Sequence, residues 1–499
     1  MTSSSPAYPV PPVPPKPEPM LDALFGTLWP EPSLGARPRL ILAAAAVGAV
    51  AALVIPFRSL GLGTFLVLAS VCGVVAVADG RIRRPYHLVS ALLSLLLLTP
   101  LFLLAAEWVS VVCVLAAFAV GASALAGGRS VAGMAASWAA VPLAGLRGLP
   151  WLGRSLVAAP GSRAWAPIVR TVALSLLAVA VFGALFASAD AVFARWVGAL
   201  VPELTLDDVP VRAFAGLTVG GLTLAGVYVA LNPPRVERLA LPTGAPVTRR
   251  FEWLVPVSLV VAMFGLYVTA QLTVMFGGHA YLRRTTGLTY AEYVHQGFAQ
   301  LTLASVLTLA VVAAAARKAP RATAGDRLLL RVVLGALCLL TLVVVASALS
   351  RMSVYEEAYG FTQLRLLVSF FEGWLGLVVV LVLVAGVRLS GWWVPRAALL
   401  TGAAALLAMA ALNPDAYVAE RNLDRYEATG KIDWYYLSGL SADATPVLAD
   451  LPADLRGCLR VDATRTGDWL EWNLGRARAH EAAPRGLASG RDCEGSPPR

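Results

Sequence analysis

The sequence predicts an all-α, polytopic membrane protein, and three observations carry that prediction. Apolar residues make up 58% of the 499 and charged residues only 14%, where a soluble domain carries about 25% charged. Apolar runs long enough to cross ~30 Å of hydrocarbon, which takes about 20 residues, recur along the whole chain. Arginine and lysine collect in every second connection between those runs, as they do in loops retained on the inner side of a membrane. Mean hydropathy is +0.71.

Residues 1–38 come first and are Pro-rich, with Pro-Val-Pro-Pro-Val-Pro-Pro-Lys-Pro-Glu-Pro at 9–19. Such a segment buries no core, and we expect a disordered or polyproline II cytoplasmic extension. No cleavable signal peptide is expected, because the basic, short-apolar, small-residue pattern is absent and the first span reads as retained. The transmembrane domain is expected over 39–412, with eleven spans near 40–57, 60–79, 86–106, 108–127, 168–188, 213–231, 253–276, 296–316, 328–350, 366–387 and 394–412. Between the fourth and fifth, Val131 to Leu156 is apolar but broken by Pro142, Arg147, Pro150 and Arg154. We read it as an interfacial helix, with a re-entrant path left open.

The even-numbered connections hold Arg81, Arg83 and Arg84, then Arg129, Arg147, Arg154 and Arg163, then Arg235, Arg238, Arg249 and Arg250. Arg317, Lys318, Arg321 and Arg327 follow, and finally Arg388 and Arg396. Odd-numbered connections hold Arg58 alone, then Glu107, then Asp190, Glu203, Asp207 and Asp208 with Arg195 and Arg212, and then two mixed loops. This alternation puts the N-terminus in the cytoplasm and, across eleven spans, the C-terminus outside. The net charge of +10 is thus an anchor to an anionic leaflet rather than a nucleic-acid surface.

The tail from 413 to 480 is expected to form extracytoplasmic amphipathic helices, with Trp434, Leu437 and Leu440 on one face, and 481–499 to be disordered. A second helix carries Leu448 and Leu451, and a third, over about 466–480, carries Trp469 and Trp472. Cys72, Cys113 and Cys338 fall in spans, where cysteine is a small apolar residue. Cys458 and Cys493 lie in the tail and can pair if it is exported; two separate thiols remain the alternative.

Polar chemistry is confined to few places. Tyr290-Ala-Glu-Tyr-Val-His-Gln-Gly-Phe-Ala-Gln-Leu301 is echoed by Tyr355-Glu-Glu-Ala-Tyr-Gly-Phe-Thr-Gln-Leu364, and Gln300 and Gln363 are two of only four glutamines. Each glutamine can hydrogen-bond a neighbouring helix inside the bilayer, and a parallel repeat or a chance likeness of two aromatic belts both fit. The candidate polar site comprises Asp190, Tyr290, Glu292, Tyr293, Gln300, Arg351, Tyr355, Glu356, Glu357, Tyr359, Gln363, Arg365, Glu372, Asp415, Arg421 and Asn422. Glu372 lies within a span, where a charge costs about 2.5–3.5 kcal/mol. It shares a helix face with Arg365 and reads as a packing contact ahead of a cavity-lining acid. His87 and Glu252 read as interfacial. No Walker loop, Gly-x-Ser-x-Gly or Cys-x-x-Cys is present, and the four histidines are scattered, so no cofactor or metal is expected. Polytopic glycosyltransferases resemble one another in carrying acids in the first external loop; Pro56-Phe-Arg-Ser-Leu60 has none.

Several of these segments form a composite pattern. It comprises Ser188-Ala-Asp190 with Phe193, Thr289-Tyr-Ala-Glu-Tyr293 with Gly297-Phe298, and Arg351-Met352 followed by Tyr355 to Arg365. It continues through Asn413-Pro-Asp415, Arg421-Asn422, Arg425, Gly430-Lys431, Asp433, Tyr436-Leu437, Leu440-Ser-Ala-Asp-Ala444 and Pro446. Over about 170–450 the chain resembles an uncharacterised bacterial membrane family catalogued as domain of unknown function 4173, with a relative numbered 4153. His295 departs from the family, which commonly carries arginine there. The resemblance implies a multi-pass protein of the bacterial plasma membrane and no established activity. Three functions stay open. The first is a non-enzymatic protein of envelope signalling or assembly with an outward recognition surface. The second is a transporter or lipid-handling protein with a cavity near Glu372, Gln300 and Gln363. The third is a membrane-embedded transferase using Asp190, Glu292, Glu356 or Glu357 as acid or base.

Overall fold

A computed structural model describes residues 20–30, 34–158, 208–240, 249–286, 298–451 and 468–482, with a few isolated positions between them; for 274–286 it describes the backbone alone. The described chain is all-helical, and eight helices are long and apolar enough to cross a membrane. The count of eleven expected spans resolves as follows. Pro38–Val54 (α2) and Leu62–Ala78 (α3) are shorter apolar helices. Pro85–Leu97 (α4) continues through a break into Pro100–Leu103 (α5). Glu107–Ala126 (α6), Asp208–Leu231 (α9), Phe251–Thr286 (α10), Phe298–Lys318 (α11), Ala324–Tyr359 (α12), Gln363–Arg388 (α13) and Val394–Ala411 (α14) complete the set. The expected fifth span, 168–188, lies outside the described residues apart from isolated helical positions.

Local sequence sets the helix ends. Ser130 caps Val131–Arg147 (α7) by accepting from the Gly133 amide. Thr323 and Asp326 form a reciprocal capping box at the start of α12, which satisfies two donors that have no partner in the helix itself. Thr362 caps α13 from its side chain. Pro100 follows the last residues of α4, where a missing amide and a fixed φ favour a new helix start over continuation. Gly127 ends α6 in the left-handed region, as expected of a glycine C-cap.

The connections sort onto two faces. On one, Arg81 reaches across to the Leu125 carbonyl, Arg396 to the Gly128 carbonyl, and Arg250 to Asp326 at 2.6 Å. On the other, the connections at 55–61, 98–106 and 360–362 meet the C-terminal tail. α7 begins beside Glu237 and ends with buried Arg147 donating to the Trp29 carbonyl. Both ends therefore lie on the arginine-bearing face, in keeping with a helix that does not cross. Leu149–Val157 (α8) stays there too, with Trp151 donating to the Gly35 carbonyl.

Near the N-terminus, Met20–Phe25 forms a short helix (α1), and Trp29 is buried against Tyr228 and Trp151, while residues 1–19 lie outside the described residues. An indole and a phenyl ring find an apolar slot on the arginine face, and Trp29 Nε1 is satisfied by the Asn232 carbonyl.

Candidate functional site

The tail folds into a cap. Pro414–Thr429 (α15), Trp434–Ser438 (α16), Thr445–Ala449 (α17) and Leu474–Ala482 (α18) surround it. Ala419, Trp434, Leu437, Ala444 and Leu448 form a small core. Leu440 and Leu451 pack on its edge, as the amphipathic spacing predicts. The third expected helix instead splits into a turn at Trp469–Glu471 and α18, and Trp469 stays 67% exposed.

Two buried carboxylates join cap to membrane domain. Asp415 Oδ1 accepts from Trp108 Nε1 at 3.2 Å and from Gln363 Nε2 at 2.8 Å, while its Oδ2 accepts from the Ser441 amide at 2.9 Å. Asp443 Oδ2 accepts from the amides of Ala105 and Ala106 at 2.7 and 2.9 Å. These are donors at the start of α6, so Asp443 caps that helix from 337 residues away. Its Oδ1 has no hydrogen-bond partner and faces Gly475, where a Cβ would collide with it. Burial pushes the Asp443 carboxyl up to about 6, and the nearby Asp415 charge adds to that rise.

A third joint is formed by Asn422. Its Oδ1 accepts from the Phe361 amide at 3.0 Å and its Nδ2 donates to the Phe361 carbonyl at 2.9 Å, so the side chain pairs with the backbone like a strand neighbour. Gly360 has φ +89°, and a Cβ there would sit 2.7 Å from Asn422 Oδ1, so only glycine fits. Arg425 completes the joint by donating to the carbonyls of Glu357 and Ala358. Tyr436 accepts from the Gln363 amide at 2.8 Å, and burial raises its phenol above the usual range. Further round the rim, Asn473 donates to the Leu101 and Leu104 carbonyls and Arg476 to Leu60. Burial lowers the Arg476 guanidinium, and Arg58 pairs with Asp468 at 3.0 Å.

Of the sequence candidates, Gln363, Asp415 and Asn422 meet in this joint. Arg365 donates to the Gly360 carbonyl and stacks 4.3 Å over the Tyr355 ring, which lies against Tyr359. Glu356 is buried, whereas Glu357 and Tyr359 are exposed. Arg421 is exposed and stacks over Tyr417. Arg351 donates to Gln271 at 2.7 Å on a different helix pair. Glu372, fully buried, accepts from Thr302 at 2.8 Å and does not meet Arg365. Asp190 is exposed. Tyr290, Glu292, Tyr293, Cys458 and Cys493 lie outside the described residues. The two echoing segments differ in register: α11 already includes Phe298, with Gln300 exposed, while α13 starts at Gln363, two residues after Phe361.

Sequence reasoning named Asp443 only as part of the family pattern and passed over Gly475 and Asn473, because the partners of Asp443 and Asn473 in the membrane domain lie more than 300 residues away and leave no local signal. His87, read from sequence as interfacial, lies in the first turn of α4 and is buried with Nδ1 2.7 Å from Asp79 Oδ2. An acid eight residues before a histidine at a span end is a visible hint of that pair.

The family described as Domain of unknown function (DUF4153) matches residues 88–451, well over half of the chain. No curated protein and no solved structure matches it.

Proposed function

Because the chain belongs to the family described as Domain of unknown function (DUF4153), we propose its role from the geometry: a non-enzymatic multi-pass protein whose cap is a recognition surface in envelope signalling or assembly. In this reading the membrane is the bacterial plasma membrane, the N-terminus is cytoplasmic and the cap extracytoplasmic. The resemblance to domain of unknown function 4173 belongs to the same proposal. The observation that carries it is how the carboxylates of the cap are used. Asp415 and Asp443 are neighbours that share Ser441, both are buried, and each accepts from donors on the membrane side, so they hold the cap to the spans. Meanwhile Tyr435 is 85% exposed and Trp469 67% exposed on the same unit. Exposed large aromatics are the residue types that anchor protein interfaces.

The test is a deletion strain profiled for envelope stress and complemented with full-length variants. Tyr435→Ala/Trp469→Ala is expected to be made at normal levels and to fail to complement. Asp190→Asn, Glu356→Gln/Glu357→Gln and Glu372→Gln are expected to complement. The reverse pattern would replace recognition with acid-base chemistry.

A further inference from the structure

A cavity of about 290 Å³ lies between α3, α4, α6 and α9, apart from the cap and from Glu372. Its walls are apolar for most of their length, with Val75, Ala91 and Phe118 among them. Two lining residues, Phe118 and Leu222, are 41% and 46% exposed on the outer surface of the bundle. The mouth therefore opens sideways among membrane-spanning segments, and what enters comes from the hydrocarbon layer.

The cavity carries its acid and its histidine at one end, while Ser94, farther along, donates to the Ala117 carbonyl. Asp79, His87 and Ser90 line it at the arginine-bearing face, and Leu98 lines it at the far end of α4. His87 to Leu98 is a rise of roughly 16 Å along a helix, about half the ~30 Å hydrocarbon thickness. One leaflet's acyl chain has that length. Asp79 holds His87 by Nδ1, leaving Nε2 as the ring nitrogen not engaged by it. Ser90 is buried in the same wall. Beside them, Arg83 and Arg84 are exposed at the N-terminal end of α4, where helix amides and positive charge together favour an anion. Arg81 and Arg396 add to the same field.

We propose that this cavity holds one acyl chain of an anionic phospholipid, with the phosphate end at His87 and the arginines of the 81–84 connection. The occupant is a lipid because the mouth faces hydrocarbon, and it is anionic because exposed Arg83 and Arg84 and the start of α4 lie beside His87, while Arg81 already offsets the Asp79 carboxylate. The inference stands independently of the recognition role assigned to the cap.

The experiment is native mass spectrometry of the full-length protein from nanodiscs of phosphatidylglycerol or phosphatidylcholine, after detergent exchange. One retained phosphatidylglycerol per chain is expected, with retention of phosphatidylcholine lower by about tenfold. Gly121→Leu fills the cavity, since Gly121 lines it and has only Ser94 Oγ near its missing Cβ. That variant is expected to lose the adduct, and Arg83→Ala/Arg84→Ala to lose the preference for the anionic lipid. Retention of both lipids at equal strength, or an adduct unchanged in Gly121→Leu, overturns the proposal. Should Gly121→Leu fail to fold, a diazirine on the acyl chain of phosphatidylglycerol decides the matter in the unaltered protein. Crosslinks concentrated on 68–98 and 114–125 support the site, and crosslinks spread evenly over all lipid-facing helices refute it.

Discussion

Asp443 shows how much one residue of the cap carries. Three segments meet on its carboxylate: its own turn, the connection ahead of α6, and Gly475 at the start of α18. Burial is the main reason its pKa is pushed up to about 6; Asp415 pushes the same way, and the two backbone amides oppose both. Arg476 is a further charged group near it, itself flanked by Glu471 and Glu107. The folded cap therefore binds this proton more tightly than the unfolded tail does. Its contribution to stability is fully present below about pH 4, the ordinary carboxylate value, and is lost as pH rises through about 6. We expect the cap's tryptophan fluorescence to melt at a higher temperature at about pH 5 than at about pH 7.5. In Asp443→Asn, which keeps an acceptor for both amides, the pH difference should shrink; an equal difference in both proteins would remove Asp443 as its source. Asp415, Asn422 and Gln363 were legible as candidates because polar residues are scarce in a greasy chain. Their partners were not, since a backbone amide at 105 or 361 has no signature in sequence.

Among the helices, the closest approach joins α2 to α9. A Cβ on Gly48 would sit 2.7 Å from the Gly216 carbonyl, and one on Gly216 would sit 2.9 Å from the Gly48 carbonyl. Gly216 and Gly220 are four residues apart on one face of α9, the small-residue spacing that lets membrane helices pack backbone to backbone. Gly48→Leu is therefore expected to push the two helices apart and cost about 1–3 kcal/mol, as overpacking does elsewhere. The measurement is the unfolding midpoint in mild detergent, with Gly73→Leu as the matched control, because Gly73 has nothing within 4 Å of its missing Cβ. An equal loss in both variants would mean that leucine is poorly tolerated anywhere in these helices, not that α2 and α9 need the contact. Existence of the described membrane-length helices was legible from length and hydropathy alone. Their ends were less so: α12 runs on to Tyr359, which puts the first half of the second echoing segment, 355–359, on a helix extension that hydropathy cannot see.

At the scale of the whole molecule, the described connections divide between a capped face and an arginine-bearing face. This division yields a labelling experiment in a background with Cys458 and Cys493 changed to serine. Under the proposed orientation, a membrane-impermeant maleimide should label Glu357→Cys and Tyr435→Cys on intact cells. Arg83→Cys and Arg249→Cys, exposed on the other face, should label only after permeabilisation. The opposite result would invert the proposed orientation, and mixed labelling within one face would break the two-faced arrangement itself. By itself the sequence determined the class of object, the apolar helices and the alternation of charge, because burial in hydrocarbon imposes a composition that needs no partner to be read. Tertiary structure alone decided that the scarce polar residues of the tail serve as joints, that Trp29 closes the arginine face, and that a half-bilayer cavity opens beside His87. Each of those depends on which distant groups meet, and hydrogen bonds between residues hundreds of positions apart leave no period or motif along the chain.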